Sequence, residues 1–96
     1  MRSLVIPALN EAETLDELYV RVRDAAQTWN SPWELILVDD GSTDGTWEAI
    51  CDLHRQDPHV RGLRLSRKFG HQAAVSAGLE HVRGDAVAVL DADLQD

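Results

Sequence analysis

The sequence predicts an α/β fold, a parallel sheet built in the order β-α-β-α-β-α-β. Three observations predict it. Short apolar runs alternate with longer stretches of helical period, the pattern of right-handed β-α-β crossovers. Two of the runs are apolar at every position, as strands covered on both faces are. Each run ends in polar residues, where open α/β sheets bind ligands.

The elements follow in order. Leu4–Ile6 is the first strand, ending at Pro7. Asn10 and Glu13 resemble a capping box, ahead of a helical stripe of Leu15, Leu18, Tyr19, Val22, Ala26 and Trp29. Leu35–Val38 is the second strand. Trp47, Ile50, Cys51 and His54 mark a second helix, stopped by Pro58. Leu63-Arg64-Leu65 alternates and is the third strand. Val75, Gly78, Leu79 and Val82 mark a third helix, with Gly84 placed as the cap beyond its end. Ala86–Leu90 is the fourth strand. With no repeat, low-complexity tract or linker, residues 1–96 read as one structural unit. In the strand order 3-2-1-4 the last strand is an apolar edge, open to pairing with another chain or a second copy of this one. A doubly wound sheet normally continues from such a point, so the sequence is expected to be the front half of a larger fold.

Composition narrows the function. The chain has 96 residues, 17 acidic and 9 basic side chains, and a formal net charge of −8. A core is possible but thin, since a chain this size buries roughly 60–65 % of its unfolded surface. The acidic balance argues against a nucleic-acid partner and against a polybasic membrane anchor. The single cysteine, Cys51, excludes an internal disulfide and falls on an apolar helical stripe, where a small buried residue is expected. No apolar stretch reaches bilayer length and no signal-peptide pattern opens the chain, so the cytoplasm is the expected address.

The chemistry gathers at the strand ends. Asp91-Ala92-Asp93 follows the fourth strand, and carboxylates spaced i, i+2 there can turn toward one Mg²⁺ or Mn²⁺. Solvated turn aspartates are the alternative. Asp40, Ser42, Asp44 and Gly45 match the start of an EF-hand loop, but Cys51 stands where the bidentate Glu is required. A turn in which Ser42, Thr43 or Asp44 caps the second helix explains that segment. It does not explain Asp39 beside Asp40 at the end of a buried strand, where a carboxylate can accept from a nucleobase N–H or a ribose hydroxyl. Ser66 to Gln72, with Arg67 and Lys68, is the basic spot among these acidic ends. It suits phosphate oxygens, or is a solvated loop. His71 reads as a surface or capping residue, the other histidines as structural or solvated, and the three tryptophans as packing residues. A P-loop, a dinucleotide fingerprint and a hydrolase elbow are all missing.

These residues resemble a known family. Leu4 through Glu11, Val38 through Thr46 and Asp91 through Asp96 are similar to family 2 glycosyltransferases. Phe69 through Ala74, Ala77-Gly78-Leu79 and Arg83-Gly84-Asp85 narrow the resemblance to the polyprenyl-phosphate branch. The resemblance implies the N-terminal half of a GT-A fold, a Rossmann-like nucleotide-sugar-binding unit. It implies that Pro7, Leu9 and Glu11 line the nucleotide site, that Asp39 and Asp40 face base and ribose, and that Asp91 and Asp93 are the catalytic, metal-binding pair with Gln95 as a further ligand. It also implies a UDP- or GDP-sugar donor, Mg²⁺ or Mn²⁺, inversion at the sugar and a lipid-phosphate acceptor, which would place a longer chain at the cytoplasmic face of the membrane. Two other classes compete. One is a non-catalytic nucleotide-binding or interaction module pairing through the fourth strand. The other is an aspartyl-phosphate domain, disfavoured because its acidic motif normally follows the first strand.

Overall fold

A computed structural model describes residues 1–92 of the chain. Seven elements follow in order: β1 (Arg2–Ala8), α1 (Leu15–Ala26), β2 (Trp33–Asp39), α2 (Thr46–Gln56), β3 (Val60–Arg64), α3 (His71–Glu80) and β4 (Ala86–Val89). The strands form one parallel sheet in the order β3-β2-β1-β4, the order the sequence predicts.

Two apolar layers hold it. On one face Leu4, Ile6, Leu35 and Leu37 meet Leu15, Leu18 and Val22 of α1 and Ile50 and Leu53 of α2. On the other face Val5, Ile36 and Val38 meet Ala74 of α3. Alternate residues of β1 and β2 therefore face opposite helical layers, which is why Leu35–Val38 reads as an unbroken apolar run. At Gly78 of α3 a Cβ would collide with Val5, so the helix lies closer to the sheet than alanine permits. Trp29, Trp33 and Trp47 pack against the first layer, as expected of packing residues.

Pro7 lies inside β1, in register with Val38. Its tolerance follows from parity. Ala8 accepts from Asp40 N–H on the β2 side, and Val5 accepts from Leu90 N–H on the β4 side. Pro7 shares Val5's direction, so its missing N–H faces the β4 side just where that ladder ends.

A buried carboxylate organises the opposite end of the sheet. Glu34 is 5 % exposed. It accepts from the Ser3 hydroxyl, the Arg61 guanidinium and the Arg83 N–H, each at 2.7 Å. The Ser3 hydroxyl in turn accepts from Gly84 N–H at 2.9 Å. This network fixes the turn that feeds β4.

Several local expectations are corrected. The first helix starts at Leu15 with Thr14 as its N-cap, so Asn10 and Glu13 form no capping box. Asn10 instead takes φ 55°, a left-handed turn residue. Trp29 lies past the end of α1 and Val82 past the end of α3, and Leu79 is exposed. His81, not Gly84, is the C-cap of α3. Gly84 is needed for close approach, since a Cβ there would strike the Met1 carbonyl and the Ser3 hydroxyl. Cys51 is half-buried rather than buried, in the wall of a shallow cavity beside β3. Cover on both faces, expected for the fourth strand, is also not found: every residue of β4 is exposed among the described residues. No helix among those residues is long and apolar enough to cross a membrane.

Candidate functional site

The C-terminal ends of β1, β2 and β4 and the start of α3 enclose a cleft of about 430 Å³. Pro7, Ala8, Leu9 and Glu11 line it after β1, Asp40 after β2, Lys68 and His71 around the start of α3, and Asp91 and Ala92 after β4. Three carboxylates thus share one cleft with one lysine and one histidine.

Hydrogen bonds between the first two loops build the rim. Asn10 N–H donates to the Ser42 hydroxyl at 2.9 Å, and Asn10 Oδ1 accepts from Thr43 N–H at 2.9 Å. Glu11 N–H donates to Thr46 Oγ1 at 3.0 Å. Asp44 accepts from the Thr46 hydroxyl and, at 2.9 Å, from the Thr46 N–H. The Thr46 hydroxyl is the main cause holding the Asp44 carboxyl below its ordinary range. The N-cap of α2 is Gly45, with no side-chain cap, so none of Ser42, Thr43 and Asp44 caps the helix as expected; Asp44 instead ties the loop to Thr46 at the helix start.

Asp39 and Asp40 divide the work. Asp40 is 4 % exposed. Its Oδ1 accepts from Phe69 N–H at 2.8 Å and its Oδ2 from Gly70 N–H at 3.1 Å. It lines the cleft and clamps the loop that carries Lys68. Asp39 is fully buried and lies outside the cleft lining. Its Oδ1 accepts from Ser42 N–H at 2.9 Å, while Oδ2 has no hydrogen-bond partner and lies 3.9 Å from Arg64 Nε. A buried carboxylate oxygen with an unused lone pair is costly unless a donor reaches it. Gly41, between the two loops, has φ 79°, and a Cβ there would lie 2.5 Å from the Lys68 nitrogen. Only glycine lets these backbones pass so closely.

Arg67 is not in this cleft. It lines a neighbouring cavity of about 420 Å³ with Gly41, Ser42, Arg64, Leu65 and Ser66, its guanidinium 4.1 Å above the Phe69 ring. Of the acidic pair after β4, Asp91 is exposed and lines the cleft. Asp93 and Gln95 lie outside the described residues. Among the described residues no cluster of three or more acidic, histidine or cysteine side chains converges on one point. The oxygen donors that Asp91 and Glu11 bring to the cleft are of the type a hard divalent cation selects. Two residues were not expected at the site: His71, read as a surface or capping residue, opens α3 and borders the cleft, and Thr14 has its hydroxyl 3.2 Å from the Ala92 carbonyl. For His71 the signal was its place at a helix start beside the basic loop; for Thr14 there was none, because its partner is 78 residues away.

Comparison with known proteins agrees with this architecture. Residues 3–96 match the glycosyl transferase family 2 model. The undecaprenyl-phosphate 4-deoxy-4-formamido-L-arabinose transferase of Salmonella choleraesuis is 43 % identical over 94 residues, covering 97 % of this chain and 29 % of that protein. The Salmonella typhimurium protein of the same name gives the same figures. The chain thus spans less than a third of the curated relatives it matches. Among solved structures, the mannosyltransferase PcManGT of Pyrobaculum calidifontis, in complex with GDP-Man and Mn²⁺, superposes with a TM-score of 0.83 at 26 % identity, over 96 % of this chain and 27 % of that one. The glucosyl-3-phosphoglycerate synthase of Mycobacterium tuberculosis, with Mn²⁺, UDP and phosphoglyceric acid, superposes with a TM-score of 0.74 at 26 % identity, over 97 % of this chain and 33 % of that one. The sheet and its helices are those of the N-terminal, Rossmann-like part of a GT-A fold, and the chain belongs to glycosyltransferase family 2.

Proposed function

We propose that the chain is the nucleotide-sugar-binding part of a metal-dependent, inverting glycosyltransferase that transfers a sugar from a UDP- or GDP-sugar to a polyprenyl phosphate. The observation that carries this reading is the cleft itself, which gathers Pro7, Leu9, Glu11, Asp40, Lys68 and Asp91 at the strand ends of a family 2 domain. Its mixed charge suits a nucleoside diphosphate. Lys68 and the first N–H groups of α3 suit phosphate oxygens. The unpartnered Asp39 Oδ2 suits a base or ribose donor, once the Gly41–Ser42 turn and Arg64 above it give way. Arg67 lies in the neighbouring cavity, stacked on Phe69, and a role for it toward the same ligand is part of this proposal.

The residues that would hold Mg²⁺ or Mn²⁺ are Asp91, Asp93 and Gln95. When bound, the cation supplies positive charge against the diphosphate that leaves as the sugar is transferred. The chain's own part is to hold the donor with its diphosphate toward Asp91. A lipid phosphate is already ionised at neutral pH and needs little help from a general base, so the reading does not depend on assigning one in the cleft. The two Salmonella relatives are named for undecaprenyl phosphate, which supports a lipid acceptor.

Titration calorimetry tests the reading. UDP or GDP should bind in the presence of Mn²⁺ or Mg²⁺ and at least tenfold more weakly without it. Equal nucleotide affinity in an Asp91→Ala, Asp93→Ala double variant would overturn the metal role. A second reading, an interaction module, is favoured by one observation: Val87 and Val89 of β4 are each 43 % exposed on an open strand edge. Light scattering tests it, since this reading requires a mass above that of one chain.

A further inference from the structure

We propose that Thr14 is a positioning residue for the Asp91-Ala92 turn: its hydroxyl holds the Ala92 carbonyl and so sets where the Asp91 carboxylate enters the cleft. This rests on the reading of the cleft as a site for a divalent cation and a nucleotide.

Among the described residues, few other bonds hold the turn. The ladder between β4 and β1 ends with Leu90 N–H donating to the Val5 carbonyl at 3.0 Å. Beyond that bond the chain leaves the sheet edge. Asp91 is exposed, whereas Ala92 is 4 % exposed and joins the apolar layer beneath α1. The middle residue of the motif is therefore a buried peg. A methyl group fixes depth but not rotation about the backbone, and a hydrogen bond to the adjacent carbonyl fixes both.

Thr14 is free to make that bond. A threonine at an N-cap ordinarily accepts from an amide of the first helical turn. Here the Thr14 side chain makes no capping hydrogen bond. Its hydroxyl instead has three acceptors around it: the Glu11 carbonyl at 3.1 Å, Glu11 Oε2 at 3.3 Å and the Ala92 carbonyl at 3.2 Å. The Glu11 carbonyl already receives the Thr14 N–H at 3.1 Å. The hydroxyl proton thus stands between a carboxylate of the cleft and the carbonyl of the metal turn. Without it both oxygens lose the one hydroxyl donor that lies within 3.3 Å of each, and the Ala92 carbonyl loses its tie to the start of α1.

Thr14→Val keeps the shape and deletes the donor, whereas Thr14→Ser keeps the donor. Mn²⁺ affinity, read by electron paramagnetic resonance on the full chain with UDP or GDP present, should fall roughly 10–100-fold in Thr14→Val, the usual loss when an outer-shell partner of a metal site is removed. It should stay within about twofold in Thr14→Ser. Thermal midpoints of both variants should lie within a few degrees of the parent, because no helix cap is lost. Should the valine variant not fold, Thr14→Ala makes the same deletion without placing a second methyl in the turn. Parental Mn²⁺ affinity in a folded donor-less variant, or equal losses in the serine and valine variants, overturns the role of Thr14 alone. Failure of the parent chain to bind Mn²⁺ overturns both this role and the reading of the cleft on which it rests.

Discussion

Asp40 carries more of the site than its place beside Asp39 suggests. Both of its oxygens accept backbone N–H groups of Phe69 and Gly70, so the carboxylate orders the loop holding Lys68 as well as lining the cleft. Asp40→Asn replaces one acceptor by an NH₂ group that must face an N–H donor. The variant should lose about 1–3 kcal/mol of stability, the cost of an unsatisfied buried polar group. Urea unfolding checks this, and nucleotide affinity should fall with it as Lys68 loses its place. A parental unfolding midpoint would show that the loop is held by other means. Asp39 differs by one residue in sequence and by a whole role in structure. Strand alternation sends adjacent side chains to opposite sides, and Asp39 spends one oxygen on Ser42 and leaves the other unpaired. The sequence placed both aspartates at the right strand end. Which of them would border the cleft depended on a loop 29 or more residues away, whose backbone amides no local pattern encodes.

At the scale of elements, apolar period and strand-end chemistry were readable, while the joints between elements were not. All seven elements and their order follow from runs and stripes in the sequence. The joints depended on partners distant in sequence. Asn10 looked like a cap but is held in a left-handed turn by the Ser42–Thr43 loop. Gly84 looked like a helix terminus but makes room for Met1 and Ser3. Glu34, which drew no notice in the sequence, is the staple of the α3–β4 turn. Burial works against its charge, but the Arg83 N–H, the Ser3 hydroxyl and the Arg61 guanidinium outweigh that penalty and hold its carboxyl below the ordinary range. A carboxyl with a folded-state pKa below its unfolded value stabilises the fold fully above the unfolded pKa, and that stabilisation is lost as pH falls through the folded pKa. Glu34→Gln should therefore cost roughly 1.5–3 kcal/mol at neutral pH, the worth of hydrogen bonds to a charged group. The gap between parent and variant should close as pH drops below about 4, near and beneath the unfolded glutamate value. Urea midpoints measured from pH 7 to pH 3 check this, and a gap that stays constant with pH would mean that the charge contributes nothing.

For the whole molecule, the sheet is unequal from one edge to the other. β1 and β2 are buried by helices on both faces, and β3 is shielded on one side by Ile50 and Trp47 of α2, which press against Gly62. Among the described residues β4 has neither kind of cover. Its four residues pair with Arg2 to Val5 along one side only, and Val87, Val89 and Leu90 are exposed at 43 %, 43 % and 39 %. A short apolar strand with a free row of N–H and C=O groups is a template for another strand. The net charge of −8 opposes association in general, but Asp85 is the one acidic side chain adjacent to β4 on its N-terminal side, and it is paired with the Met1 ammonium at 3.1 Å. Repulsion is thus weakened at the N-terminal end of the edge, while the exposed Asp91 flanks its other end. The chain at high concentration should show a mass above one copy by light scattering, rising with salt as the remaining charge is screened. Val87 and Val89 share the face that carries Ser3 and Val5 in β1, so Val87→Lys with Val89→Lys places two charges on one side of the edge while leaving the backbone pairing to β1 intact. That double variant should remain a single copy at the concentrations and salt where the parent associates, with little change in the cleft or in nucleotide affinity. A parent chain that stays monomeric throughout would show that a strand this short, even apolar and open, does not recruit a partner.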